Sequence, residues 1–291
     1  MRVQVFQSMV RGPQAALRAL RRHRWPDGRT RCPLCGRTAA YSLRDHRWRC
    51  RRRSCGYTFG VRTGTWAGQS RVPNVTWLWL VKLFELELTA SQAAVQTGVS
   101  YPTALKAFTL IRRAILSAAE PTLLRREVEA DESYFGPRRS SRHRGEGVGR
   151  ASPAKIPVFG ILERHGRVEV AVVKDCSATT LLEATVRTVK RGSLVYTDRW
   201  RGYDTLTFCG YRHLRVDHAR RFSVPSGTKK VHVNGLEGFW SYAKGKLLKF
   251  HGVSPVRFPL YLYEMQFRYN HRHHDLFELL LRSTLKMLPD L

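Results

Sequence analysis

Four cysteines constrain this chain more tightly than any other feature. Cys32 and Cys35 form a CPLCG knuckle and Cys50 and Cys55 a CRRRSCG knuckle, giving the spacing C-x2-C-x14-C-x4-C. Two short loops that each offer a pair of thiolates can surround one Zn²⁺ tetrahedrally. Gly36 and Gly56 let the backbone turn tightly enough for amide groups to face the sulfurs. The stretch from Tyr41 to Arg49 reads as the hairpin that a zinc ribbon requires. Four protein ligands leave no open position for water, so the expected zinc is structural. The other two cysteines, Cys176 and Cys209, lack a local partner and read as ordinary thiols. That distribution is not a secreted disulfide framework.

Charge is the second constraint. Lys and Arg number 51 against 22 Asp and Glu, a formal net charge of +29. A field of that sign attracts polyanions, and duplex DNA is the densest of them. A solvated basic surface is the plainer reading, but arginine dominates the excess and its planar fork suits phosphate. No signal peptide is evident. The most apolar run, Val75 to Leu88, is broken by Lys82, Glu85 and Glu87 and reads as an amphipathic helix, not a membrane span. The chain therefore reads as cytosolic, with no membrane partner.

Composition divides the chain. Residues 1–71 carry 17 arginines against only Asp27 and Asp45. The expected layout is a basic helical segment over 1–24, a zinc ribbon over 25–72, a helix-turn-helix-like segment over 73–122 and a catalytic domain over 123–291. Arginines 44, 47, 49, 51, 52 and 53 flank the ribbon, interleaved with Tyr41, Trp48 and Tyr57, and suit phosphate contacts. In the helical segment Ala94 stands four residues before Gly98, and Ser100 is placed to cap a second helix running through Ile115. That pattern fits a helix-turn-helix or simple helical packing. Further on, strands are predicted at Val128–Tyr134, Pro157–Leu162, Val168–Val173 and Leu194–Thr197, with helices at Thr179–Lys190, Gly235–Lys249 and Val256–Asn270. Gly136–Ala154, rich in Arg, Ser and Gly, reads as a mobile basic loop. Strands first and helices later suggest a mixed sheet flanked by helices, in a multidomain α+β/α/β chain.

Three acidic elements carry the expected chemistry. Glu129-Ala-Asp131-Glu132 lies on the first strand, Asp198 ends another, and Glu237 begins a helix with Lys244 seven residues later. Seven residues are about two helical turns, so Glu237 and Lys244 point the same way. Carboxylates converging from strand ends and a helix face offer oxygen ligands suited to Mg²⁺ or Mn²⁺. Taken singly, a strand-end Asp is a turn residue and a helical Glu a solvated one.

The segments RWPDGRTRCPLCG, VEADESYFG, TDRWRGY, HVNGLEGFW and FRYNHR, in that order from about Arg24 to Arg272, together resemble a bacterial insertion-sequence transposase of the DDE type. More narrowly they resemble the group numbered fifteen ninety-five, in which a zinc ribbon precedes the catalytic domain. The resemblance implies an RNase H-like core and cut-and-join chemistry on double-stranded DNA, both element ends and target. It places the first two metal ligands at Asp131 and Asp198. Glu237 and Asn234 both stand near the third position; Glu237 is favoured for its charge and for the spacing to Lys244, which would contact DNA near the cut. The implied mechanism has two ions about 3.5–4 Å apart bridged by Asp131, with hydrolysis freeing a 3′-hydroxyl that then attacks target DNA. Pro137 and Asp217 depart from the family pattern. His218 and His232 stand near the site, and Arg272-His-His274 reads as a basic helix end. Synapsis of two ends implies at least a homodimer on DNA. The rival readings are a zinc-ribbon regulator without activity, a nuclease of the same fold, and a decayed transposase.

Overall fold

The computed structural model describes residues 1–136, 155–198, 207, 209–215, 224–226, 229–231 and 234–289. The chain forms two compact units, Met1–Ala119 with His271–Leu291, and Glu120–Asn270.

The first unit begins with α1 (Val3–Met9) and α2 (Pro13–Arg24). Proline in the first turn of α2 and four basic residues in its last turn, Arg21 to Arg24, suit the polarity of a helix. The ribbon follows: β1 (Ala40–Ser42), β2 (Trp48–Cys50) and β3 (Thr58–Phe59) form an antiparallel sheet in that order. Trp25, Trp48 and Phe59 make its aromatic floor, with Trp25 edge-on to Trp48 at 5.5 Å. The Arg24 guanidinium donates to the carbonyls of Gly60, Val61 and Thr63, tying α2 to the segment after β3. Burial holds that guanidinium down at about 10.

Next comes α3 (Asn74–Glu85), expected to be amphipathic but buried on nearly all sides, at Trp77, Leu78 and Leu80 to Phe84. The charge that suggested a wet face is instead internal: Lys82 is buried and pairs with Glu85 at 2.5 Å. α4 (Ala90–Thr97) starts with a capping box between Thr89 and Gln92 and stops at Gly98, whose φ of 69° requires the left-handed region. α5 (Tyr101–Ser117) follows after the short turn. Ser100 occupies the N-cap position, but its hydroxyl meets Thr103 Oγ1 at 2.9 Å and caps no backbone amide. Ala93, Ala104 and Ala107 are fully buried, as close helix crossing demands.

The second unit is built on β4 (Glu127–Phe135), β5 (Ile156–Glu163), β6 (Val168–Val172), β7 (Leu194–Thr197) and β8 (Arg212–Arg215), with α6 (Ala178–Thr188) between β6 and β7. The sheet order is β6-β5-β4-β7-β8. β5 runs antiparallel to both neighbours, whereas β4, β7 and β8 are mutually parallel. A five-stranded mixed sheet in the order 3-2-1-4-5, with only its second strand reversed, is the RNase H-like arrangement. β9 (Val224–Ser226) and β10 (Lys229–Val231) form a separate hairpin. α7 (Asn234–Leu248) and α8 (Phe258–Asn270) complete the unit.

The sheet separates two cores. Val128, Ala130, Phe159 and Ile161 face Leu181 of α6, while Phe135, Val158 and Leu162 face Leu236, Phe239 and Trp240 of α7 and Leu262 and Met265 of α8. Strand alternation therefore turns Glu129 and Asp131 toward the α7 layer. The open edge of β6 is covered by side chains of α8. Asn270 accepts from the Val168 amide at 2.8 Å and donates to its carbonyl at 2.9 Å, and Gln266 accepts from the Val170 amide.

The chain then returns to the first unit. α9 (Leu276–Leu285), capped by Asp275, buries Phe277, Leu280, Leu281 and Leu285, with Phe277 edge-on to Phe6 at 5.5 Å. The expected catalytic domain thus gives up residues 271–291, because the apolar stripe of α9 is matched by α1, α3 and α5. Among the described residues no helix is long and apolar enough to cross a membrane.

Candidate functional site

Each carboxylate of the acidic constellation is placed by a different element. Asp131 sits on β4 opposite Gly160 of β5. A Cβ on Gly160 would stand 2.6 Å from the Trp240 indole, so glycine there leaves room for the ring. The indole in turn donates from Nε1 to Asp131 Oδ2 at 3.0 Å. Asp198 immediately follows β7, the parallel neighbour of β4. The Thr197 hydroxyl donates to the Asp198 carbonyl at 2.8 Å and meets His213 Nε2 of β8 at 2.8 Å, which fixes the backbone there. Glu237 stands exposed in the first turn of α7.

The helix bearing Glu237 is seated by Glu129, which is 1% exposed. One of its oxygens accepts from the amides of Gly235 at 2.9 Å and Leu236 at 3.3 Å. These are orphan donors of the helix start, and a carboxylate there also meets the positive end of the helix dipole. The other oxygen accepts from Arg164 Nε at 3.2 Å, and Arg164 stacks on Tyr196 with its guanidinium carbon 3.8 Å from the ring centroid. A Cβ on Gly235 would lie 2.3 Å from Leu162 and 2.8 Å from the Glu129 carboxylate, so only glycine allows this approach.

Asp131 feels the charge of the other two carboxylates. Burial raises the Asp131 carboxyl above the ordinary aspartate value; the Trp240 and Glu132 hydrogen bonds oppose this, and the charges of Asp198 and Glu237 add to it. A hard divalent cation would relieve that repulsion, and the all-carboxylate donor set suits one. Lys244, two turns beyond Glu237, is exposed with its Nζ 5.5 Å from the Phe135 ring centroid. Asn234 opens α7, but its side chain lies outside the described residues, as do Pro137, Asp217, His218, His232 and the loop expected to reach Ala154. Cys176 accepts from the Tyr134 hydroxyl at 3.2 Å, and Cys209 packs against the α6-side core. Arg272, His273 and His274 are exposed, in the turn before α9.

Glu129, Trp240, Gly160, Gly235, Arg164 and His213 were not singled out as supports of the site. For Glu129 a signal existed: it alternates with Asp131 on one face of the same strand. The partners Glu129 and Gly235 are 106 residues apart, a pairing no local pattern carries.

In the first unit the four cysteine sulfurs all lie within 4.8 Å of one another, the one such group of potential metal ligands among the described residues. Gly36 and Gly56 adopt φ of 71° and 54° in the two knuckles. The Arg37 amide holds the Cys35 thiol down at about 7. Cys55, although bonded by the Tyr57 amide, is pushed up to about 11 by burial and the neighbouring sulfurs. Four cysteine sulfurs at this mutual spacing fit a tetrahedral zinc ion.

Two stretches of the chain match known families. Residues 123–270, about half of the chain, match the family described as the ISXO2-like transposase domain. Residues 14–58 match the transposase zinc-ribbon domain. An uncharacterized transposase-like protein of Haemophilus influenzae is 36% identical over 104 residues, which span 36% of this chain and 81% of the relative. Among solved structures, the Mos1 strand transfer complex is 14% identical with a TM-score of 0.25, covering 74% of this chain and 79% of that one. The Mos1 mariner paired end complex with Mn is 15% identical with a TM-score of 0.25, covering 71% and 78%. The sheet order, the cysteine quartet and the two family matches have one reading in common: this chain belongs to the ISXO2-like transposases.

Proposed function

We propose that this transposase is a divalent-metal-dependent strand transferase that cuts DNA at the ends of its own element and joins them to target DNA. The observation that carries the reading is Asp131, a sheltered carboxylate pushed upward by burial and by the charges of Asp198 and Glu237. In a chain of net charge +29, such a trio has a use as the holder of Mg²⁺ or Mn²⁺. Asp131, Asp198 and Glu237 are the proposed ligands, with Asn234 the alternative third. A bound divalent ion would supply Lewis acidity and a more acidic water at the scissile phosphate. Trp240 orients Asp131, Glu129 seats the helix that carries Glu237, and Lys244 meets a phosphate next to the cut. Water adds to the phosphorus, the bond to the 3′-oxygen breaks, and the freed 3′-hydroxyl repeats the displacement on target DNA.

The ribbon, holding a structural zinc on Cys32, Cys35, Cys50 and Cys55, and the α4–α5 pair form the DNA-binding part. Residues 123–270 form the catalytic part. Two ends must be held together, so the working form is at least a dimer on duplex DNA, acting at the nucleoid. The test is cleavage and strand transfer of element-end DNA with Mg²⁺ or Mn²⁺. Asp198→Ala and Glu237→Gln lower both steps at least about a hundredfold while DNA binding persists, and Asn234→Ala retains activity. A wild-type protein that binds the ends but cuts them under neither metal is a regulator or a decayed enzyme.

A further inference from the structure

A cleft of about 560 Å³ opens in the first unit where α2 meets the ribbon, lined by Arg21, Arg29, Arg51, Thr30, Tyr41 and Trp48 among others. The lining includes three arginines and no carboxylate. Arg21 lies over Trp48 and Arg51 over Tyr41, each with its guanidinium carbon 5.9 Å from the ring centroid, so the aromatic floor orients both cations. Arg29 follows Gly28, whose φ of 74° turns the loop.

Other ribbon arginines are already engaged. Arg31 pairs with Asp27 and Arg47 with Asp45, and Arg49 donates to the Gly56 carbonyl at 3.3 Å. Arg21, Arg29 and Arg51 have no carboxylate partner among the described residues. Thr30, 8% exposed, lines the same cleft, and its buried Oγ1 has no hydrogen-bond partner. Three unpaired guanidiniums beside an unsatisfied hydroxyl make an anion site, and guanidinium forks match phosphate oxygens.

We propose that this cleft seats backbone phosphate of duplex DNA, and so that the α2–β1 face of the ribbon is the one turned to the nucleic acid. The inference rests on the transposase reading for its choice of polyanion. The contact is independent of base sequence and sets register, not specificity.

The full-length, zinc-loaded chain is titrated against a fluorescein-labelled duplex three helical turns long, once with an element-end sequence and once with an unrelated one, over a range of salt. Arg29→Gln and Arg31→Gln remove the same charge two residues apart. The first weakens binding of both duplexes about tenfold and lowers the salt slope by about 1, and the second changes neither. Arg21→Gln/Arg29→Gln/Arg51→Gln lowers the slope by about 2 to 3. Zinc content and the thermal transition report whether the triple variant folds; if it does not, the Arg29 and Arg31 pair decides. Equal effects from Arg29→Gln and Arg31→Gln, or a folded triple variant with the wild-type slope, would overturn the cleft while leaving the transposase reading intact. Wild type that binds neither duplex overturns both, and single-stranded RNA that displaces the duplex at equal nucleotide concentration overturns the choice of ligand.

Discussion

In its proposed role Asp131 meets two opposed demands. Holding a cation requires its ionised form, whereas burial and two neighbouring carboxylates favour the neutral one. Its folded value is raised above the unfolded one, so its contribution to stability is fully present below the unfolded value and is lost as pH rises through the folded value. Asp131→Asn is neutral at every pH and can still accept from Trp240. Thermal melts of the zinc-loaded chain without added Mg²⁺ or Mn²⁺ at neutral pH therefore show the variant a few degrees more stable than wild type, a difference that closes as pH falls below the ordinary aspartate range. Strand transfer by the same variant is abolished. The proposed carboxylates stand out in sequence because acids are scarce here and fall in apolar runs. Their supports were not: the Trp240 to Asp131 bond spans 109 residues and depends on a missing side chain at Gly160.

Elements were legible where period and punctuation agree. The strands found at Glu127–Phe135, Ile156–Glu163, Val168–Val172 and Leu194–Thr197 lie within a residue of their predicted bounds, since β-branched runs end at turns. α3 was misjudged as amphipathic because periodicity counts charges without knowing their partners, and Lys82 finds Glu85 inside the unit. The seating of α7 on β4 was invisible for the same reason. Gly235→Ala places a methyl group against Leu162 and the Glu129 carboxylate; the helix start must shift, and strand transfer falls at least about tenfold with a lowered melting temperature. The zinc ribbon gives a cleaner expectation. Its strands are two or three residues long, too short to hold a sheet alone. Stripping zinc with a strong chelator disorders it, seen as a change in tryptophan fluorescence from Trp25 and Trp48, and Cys55→Ser binds less than one equivalent of zinc.

At the scale of the whole chain, the sequence order of domains differs from the spatial grouping. Composition separated a basic front from a strand-rich back, but α9 has nothing in its local pattern to say which core its stripe joins. The packing ties His271–Leu291 to Met1–Ala119. Deleting the residues after Asn270 should therefore leave the sheet unit protected from limited proteolysis while 1–119 is digested, with duplex binding lost.

That grouping makes the second unit an insertion within the first, with consequences on the ribosome. A nascent chain can complete the sheet unit as soon as α8 emerges, but the first unit lacks Phe277, Leu280 and Leu281 until α9 follows. A product of premature termination would thus contain the carboxylates without a finished grip on DNA. Synthesis through α9 becomes a licence for engagement, and the proposed chemistry is withheld from fragments that stop short of it.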